Sequence, residues 1–389
     1  MSSVSSFKIT ISFLFFLLFI SCKDIEEKTA SESLKGKEIS VDYAQTFDIT
    51  DFGDFKIIKV RDPWPGAEKD FVYLLTKKEA QLPENLKYDE RINIPVNKIV
   101  VTSTTHIPAL ETLGELNSLV GFPGLDFISS EKTRTRIETG NIAELGANQS
   151  LNTEVLLDLG PNVVVGFGVD GQNRAFDRLK KIGIPVIYNS DWMEKHPLGK
   201  AEWIKFFGAL YDKLPQSMEI FKEIEENYKA AKKLVSNIDK HPKILAGSMF
   251  KDRWYVPYGN SWQAEFIASA GGEYIYKDTH GNGSMELPFE KVFADAADAD
   301  IWVAPGSFTT YKQLLESSEH YKKFKAFRDR EIYTYAKTRG KTGGVLYYEL
   351  APSRPDLVLK DLISIFHPDL LPEYEAVFFK PMTLPDKTS

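Results

Sequence analysis

The sequence predicts an α/β protein built as two parallel-sheet lobes bridged by one long helix. Three observations carry that expectation. Short β-branched runs alternate with helical stretches in two separate blocks of the chain, the pattern of strand–crossover–strand units. Between the blocks, Pro215 opens more than twenty residues free of glycine and internal proline. Each block also contains the same local motif, a glutamate at the start of a helix-like stretch that runs into a buried strand: Glu154 ahead of Val163-Val164-Val165, and Glu290 ahead of Ile301-Trp302-Val303.

Length agrees, since 389 residues exceed one ordinary core and suit two lobes. Hydrophobic and charged fractions of 43% and 26% are those of a globular protein, and a net charge of −7 argues against a nucleic-acid partner. Residues 1–21 read as a signal peptide: Lys8 supplies a positive charge, and Ile9 to Ile20 is an apolar run well short of the ~20 residues that span a bilayer. Cys22 is the sole cysteine, so disulfides within the chain are impossible, and its place after Ser21 is better explained by lipid attachment than by simple cleavage or an uncleaved anchor. The Leu18-Phe19-Ile20-Ser21-Cys22 string resembles a bacterial lipobox, with Phe19 where that pattern prefers leucine. Residues 22–42 form a polar, charged tether.

The N-terminal lobe is assigned to 43–214. Phe47 to Val60 and Phe71 to Leu75 read as strands around the Pro63-Trp64-Pro65-Gly66 turn. The pattern then runs Lys98 to Ser103 as strand, Ile107 to Leu116 as helix, Val163 to Phe167 as strand, Gln172 to Ile182 as helix, Pro185 to Tyr188 as strand and Lys200 to Tyr211 as helix. The bridging helix is assigned to 215–239. Pro215 suits a first turn, and Ile220, Ile224, Tyr228, Ala231 and Val235 recur three or four apart. A surface helix of one lobe explains the pattern too, but the central position fits a connector better. The C-terminal lobe, 240–389, repeats the alternation: strands at Lys243 to Gly247, Trp254 to Pro257, Ile301 to Ala304 and Glu331 to Tyr335, with helices at Gln263 to Ala270, Glu290 to Ala297, Tyr321 to Phe327 and Leu357 to Phe366. The aromatic segment after Pro368 is expected to fold back as a tail.

From Asn97 to Phe366 the residues resemble the lipid-anchored substrate-binding proteins of bacterial uptake transporters for ferric siderophores and cobalamin. The matching pieces include Lys98 to His106, Leu119-Val120-Gly121-Phe122, Asn152-Thr153-Glu154, Ala270 to Glu273, and Glu290 with Asp300 to Val303. Each string alone is weak; their order, behind a lipobox and around so long a helix, is more specific. The resemblance implies a ligand cleft between the lobes, a ferric siderophore as ligand with cobalamin or haem as alternatives, no cofactor, and a monomer held by its lipid on the periplasmic side of a membrane. An acidic start to the mature chain leaves surface exposure open. It also implies that Glu154 and Glu290 meet arginines of an ABC-transporter permease dimer; for either alone, a favourable charge at a helix N-terminus explains the residue equally.

Open parallel sheets present ligands at the carboxyl ends of their strands. That rule nominates Thr104, Thr105 and His106, the loop Phe167 to Gly171, and Asn189 to His196 with Trp192 in the first lobe. In the second it nominates Trp254 to Ser261, with Tyr258 and Asn260, then Gly306 to Tyr311, and Arg339 to Tyr348. Aromatic walls suit a planar or catecholate ligand, and arginine suits its anionic groups. His106, His196 and His280 fall in candidate loops without a carboxylate companion, which disfavours a bare metal ion. Catalysis finds no support: Gly-x-Ser-x-Gly and His-Glu-x-x-His are missing, and Tyr335 stands where a phosphate loop ending in Gly340-Lys341-Thr342 needs glycine.

Overall fold

The computed structural model describes residues 36–168 and 173–384. Cys22, the signal segment and most of the tether lie outside the described residues, as does the end of the loop after Phe167.

Five strands precede the first lobe. Lys37–Ile39, Phe47–Asp51, Phe55–Val60 and Phe71–Thr76 pair antiparallel in chain order, and Glu90–Asn93 joins parallel to the last. They form a sheet of their own rather than part of the lobe's sheet. The connections among the first four strands are too short for the crossover that parallel pairing requires, whereas the longer segment 77–89 lets the fifth strand pair parallel.

Two buried glutamates fasten this sheet to the lobe. Glu202 accepts the amides of Asp42, Tyr43 and Ala44 at 2.8–2.9 Å, while Lys205 pairs with it at 2.6 Å and donates to the Ser40 carbonyl. Glu194 accepts the amides of Gln45 and Thr46, the Thr46 hydroxyl and the Trp203 indole. Buried carboxylates with this many donors are satisfied, and removing one strands its partners in a dry interior.

The first lobe's sheet has the spatial order Val186–Tyr188, Val163–Gly166, Ile99–Val101, Leu119–Phe122, Ala143–Glu144, all parallel. Its central strands are buried along their whole length, which is why they read as unbroken β-branched runs. Strand order reverses between Ile99–Val101 and Val163–Gly166, so a crevice opens beyond their carboxyl ends. The second lobe's sheet runs Glu273–Tyr274, Lys243–Ala246, Ile301–Val303, Ile332–Thr334, with Lys380–Pro381 antiparallel at the edge. Its order reverses between Lys243–Ala246 and Ile301–Val303.

Arg253–Pro257, expected in that parallel sheet, instead belongs to a separate antiparallel sheet with Ser248–Phe250 and Ser284–Pro288. Only two residues join the first pair, which fits a hairpin and not a crossover. The tail does return: Asp361 accepts the amides of Val377, Phe378 and Phe379, and Phe378 is fully buried.

Leu214–Leu234 forms the long helix, about 32 Å at ~1.5 Å per residue. Phe221, Ile224, Tyr228 and Ala231 face inward against the helices Ile204–Leu210 and Pro355–Phe366. It stops short of the expected 239 because Lys232 and Lys233 complement the carbonyl end and Ser236 and Asn237 favour turn conformations. The helix expected over Lys200 to Tyr211 is two, Pro197–Glu202 and Ile204–Leu210, separated at Trp203, whose indole is held by Glu194.

Candidate ligand cleft

At the first lobe's reversal point lies a cavity of about 450 Å³. Its floor is the strand-end segment Thr102, Ser103 and Thr104 together with Phe167. Phe122 and Phe127 form one side, and the turn Gly146–Gln149 forms another. Gly344, Val345 and Tyr348 from the second lobe close it. The described residues of this lining carry no charged side chain. Phe127 is 70% exposed and Tyr348 57%, large rings held open to whatever enters. Two buried polar atoms in the lining, Thr102 Oγ1 and Asn148 Oδ1, have no hydrogen-bond partner among the described residues, although Asn148 Nδ2 donates to the Thr102 carbonyl at 3.1 Å.

Tyr348 is positioned by an aromatic stack. Tyr347 lies flat on Tyr335 at 4.3 Å between ring centres and beside Trp262 at 6.1 Å, and the hydroxyls of Tyr335 and Tyr348 are 3.1 Å apart. Burial pushes the Tyr335 and Tyr347 phenols well above their ordinary range, so both remain neutral. The second lobe's reversal point holds a smaller cavity of about 200 Å³, lined by Gly247, Ser248, Tyr255, Gln263, Ala304 and Tyr335 among others.

The strap 339–349 joins the lobes across the cleft. Ser129 and Ser130 donate their amides to the buried Glu349 carboxylate at 2.6 and 2.9 Å. Thr342 donates to the Asp126 carbonyl at 2.9 Å, and Lys341 pairs with Glu138 at 2.7 Å. Gly344 is required here, because a Cβ on it would lie 2.3 Å from the Phe127 carbonyl oxygen. Burial, followed by the nearby Glu111, raises Glu349 from 4.5 to about 7 against the opposing pull of the two amides. On the far side of the strap is a charged space of about 650 Å³ with Arg134, Arg339, Lys341, Glu131 and Glu138.

The nominated residues divide accordingly. Thr104 and Phe167 line the cleft. Thr105 lines a different cavity beside the long helix. His106 is fully buried against Phe207, and burial lowers it to about 4, so it is a neutral core residue. Trp254 is fully buried between Trp302, Tyr321 and Phe324, a core position inside the strand Arg253–Pro257. Tyr258 covers Gly281, and Asn260 accepts the Gly281 amide, so both brace a turn. Trp192 is 40% exposed but lines none of these cavities. Arg339 lines the charged space, its guanidinium donating to the carbonyls of Ala336 and Gly343. Tyr348, at the end of the nominated loop Arg339 to Tyr348, does line the cleft, whereas Phe127 and Asn148 lie outside the nominated loops, although Phe127 follows a strand end as the rule demands.

Glu154 and Glu290 both occupy exposed first-turn positions, on Thr153–Leu159 and Phe289–Ala296, and neither has an ion-pair or hydrogen-bond partner among the described residues. Asn152 caps the first of these helices by accepting the Val155 amide.

Two lobes of this topology with a cleft at the reversal points define a solute-binding protein, and the chain belongs to the periplasmic binding protein family, whose model matches residues 99–338. An uncharacterized lipoprotein of Methanocaldococcus jannaschii is 27% identical over 338 residues, 84% of this chain and 76% of the relative. Among solved structures, a possible iron-binding periplasmic solute-binding protein from Staphylococcus epidermidis superposes with a TM-score of 0.55 at 17% identity, covering 70% of this chain and 99% of its own. A periplasmic haem-binding protein from Pseudomonas aeruginosa gives 0.54 at 15%, covering 74% and 98%. At these identities the structures share the fold. The family match begins beyond the N-terminal sheet.

Proposed function

We propose that this chain is the substrate-binding component of an ABC importer, capturing an iron(III)–siderophore complex in the interlobe cleft and delivering it to the membrane permease. One observation carries the ligand class: the cleft walls are uncharged, with Phe127, Phe167 and Tyr348 presenting rings and Thr102, Ser103, Thr104 and Asn148 presenting hydroxyl and amide groups. Such walls suit a bulky chelate whose metal charge is already satisfied by its own donors. Arginine plays no part in this reading, because Arg339 lies behind the strap and is spent on carbonyls. A corrin or porphyrin offers the same flat apolar faces, so cobalamin and haem are competing arms of the test.

Glu154 and Glu290 serve as the permease contacts in this reading, supported by their matched places, exposure and free carboxylates. Cys22 carries the lipid, and the tether to Gly36 lets the folded part reach its partner from the outer side of a membrane. Among the described residues no helix is long and apolar enough to cross a bilayer.

Titrating the protein from Lys23 onward with ferric siderophores, cobalamins, haem and free metal ions, read by tryptophan fluorescence, tests the proposal. Trp64 is a suitable reporter, since it packs on Gly168, the residue after the cleft residue Phe167. Saturable quenching by a ferric chelate is expected; saturation by free metal ions alone would overturn the reading.

A further inference from the structure

A cavity of about 220 Å³ lies away from the cleft, where the long helix meets both lobes. Its walls come from the first lobe, from Ile220 to Asn227 of the long helix, and from Leu350 to Arg354 of the second lobe. About half of the lining residues are apolar, Phe207 and Ile224 included; Glu223, Asn227 and Arg354 add polar groups on the helix and second-lobe side, and Asn189, Asp191 and Lys200 are buried together at the first-lobe end.

Asn189 is fully buried; its Oδ1 accepts the Asp191 amide at 2.8 Å, but its Nδ2 donates to nothing among the described residues. Asp191 is 7% exposed, and no described residue donates to or pairs with its carboxylate. Lys200, equally buried, donates to the carbonyls of Asp191 and Trp192 at 2.8 and 3.1 Å and sits 5.0 Å from the Trp262 ring centre, without a carboxylate partner. Burial lowers its ammonium to about 8 against the pull of Asp191. An unpartnered amide donor, a carboxylate and an ammonium held together at one buried end of a cavity are costly unless something completes them.

We propose that this cavity is a second binding site, for a zwitterionic α-amino acid with an apolar side chain. Its carboxylate accepts from Asn189 Nδ2 in the positive field of Lys200, its ammonium donates to Asp191, and its side chain lies against Phe207 and Ile224. A plain carboxylate leaves Asp191 unpaired, and a plain amine leaves Asn189 unpaired. Size selects further: an apolar cavity of ~150 Å³ accepts benzene, so ~220 Å³ accepts about nine heavy atoms, the number in leucine. Because the walls come from both lobes and the connecting helix, the bound amino acid touches all three.

The test is calorimetric titration of the full chain in detergent micelles with L-leucine, 4-methylpentanoate and isopentylamine. Leucine is expected to bind at least tenfold more tightly than either half-molecule. Asp191→Asn should weaken leucine at least tenfold and leave 4-methylpentanoate unchanged. Ala109→Leu, which fills the cavity from the opposite wall, should abolish leucine binding while a ferric chelate titrates as before. No heat with leucine, equal affinity for 4-methylpentanoate, or leucine binding that survives both substitutions overturns the proposal.

Discussion

Replacing Glu349 with glutamine tests the junction that closes the cleft. In the folded protein this carboxyl stands at about 7 instead of 4.5, chiefly because it is buried, and it reaches across to the amides of Ser129 and Ser130. A folded value raised above the unfolded one means that the folded protein holds the proton more tightly. The associated stability is therefore complete below about pH 4.5 and is lost as pH rises through 7. The displacement corresponds to about 3 kcal/mol at ~1.4 kcal/mol per tenfold change in proton affinity. Glutamine keeps an acceptor for one amide and never ionises, so the variant should lose this dependence. Urea denaturation of both proteins between pH 5 and 8 measures it: Glu349→Gln should gain about 3 kcal/mol relative to wild type across that interval. Parallel curves would refute the argument and show that the two amides hold the carboxylate ionised throughout.

Other perturbations separate framework from function. Glu202→Ala removes three amide acceptors and leaves Lys205 buried without its partner, so it should destabilise by about 3–5 kcal/mol in denaturant titration. Glu154→Ala combined with Glu290→Ala should abolish chelate uptake in cells while leaving chelate affinity unchanged. Both positions are exposed and have no partner among the described residues, so stability should fall by no more than about 1–2 kcal/mol for two lost helix N-terminal charges, and a fall in affinity would place the glutamates in the cleft instead. Gly344→Ala drives a Cβ into the Phe127 carbonyl; small-angle scattering should register a more open protein, and an unchanged profile would mean that the strap does not set the lobe spacing.

Much of this fold is legible in the sequence because burial on both faces forces it. Val163-Val164-Val165 and Ile99-Val100-Val101 admit no polar residue, and the long helix announces itself through Ile224, Tyr228 and Ala231, although Phe221 rather than Ile220 is the buried residue one turn earlier. Sheet membership is less legible. Phe47 to Val60 reads as one strand but is a hairpin of two, Phe47–Asp51 and Phe55–Val60, and Trp254 to Pro257 reads correctly as a strand; partners are chosen by connection length and tertiary contact, which a strand's own residues do not encode. The glutamate clamps escape notice for a similar reason, since Glu194 and Glu202 look like ordinary surface acids until the amides of 42–46 fold onto them.

The site is legible to the level of a loop and not of a side chain. Thr104 and Phe167 follow strands and reach the cleft, while His106 satisfies the same rule and turns into the core, and Trp254 lies inside the antiparallel strand Arg253–Pro257. Facing is decided by the local turn. The short helix Thr104–His106 points Thr104 outward and buries His106 against Phe207. Tyr348 depends on a helix of five residues, Leu346–Leu350, too short to leave a periodic signal, yet its neighbour Tyr347 anchors the stack that aims it.

The central claim is that the uncharged space between Phe127, Phe167 and Tyr348 holds the ligand. The most direct measurement is the affinity of a ferric siderophore for wild-type protein and for Phe127→Ala with Tyr348→Ala, two rings exposed enough that removing them should spare the fold. At ~1 kcal/mol or more for each aromatic ring taken from the ligand, the pair should weaken binding at least tenfold with an unchanged denaturation midpoint. Equal affinity for the two proteins would contradict the assignment of the cleft.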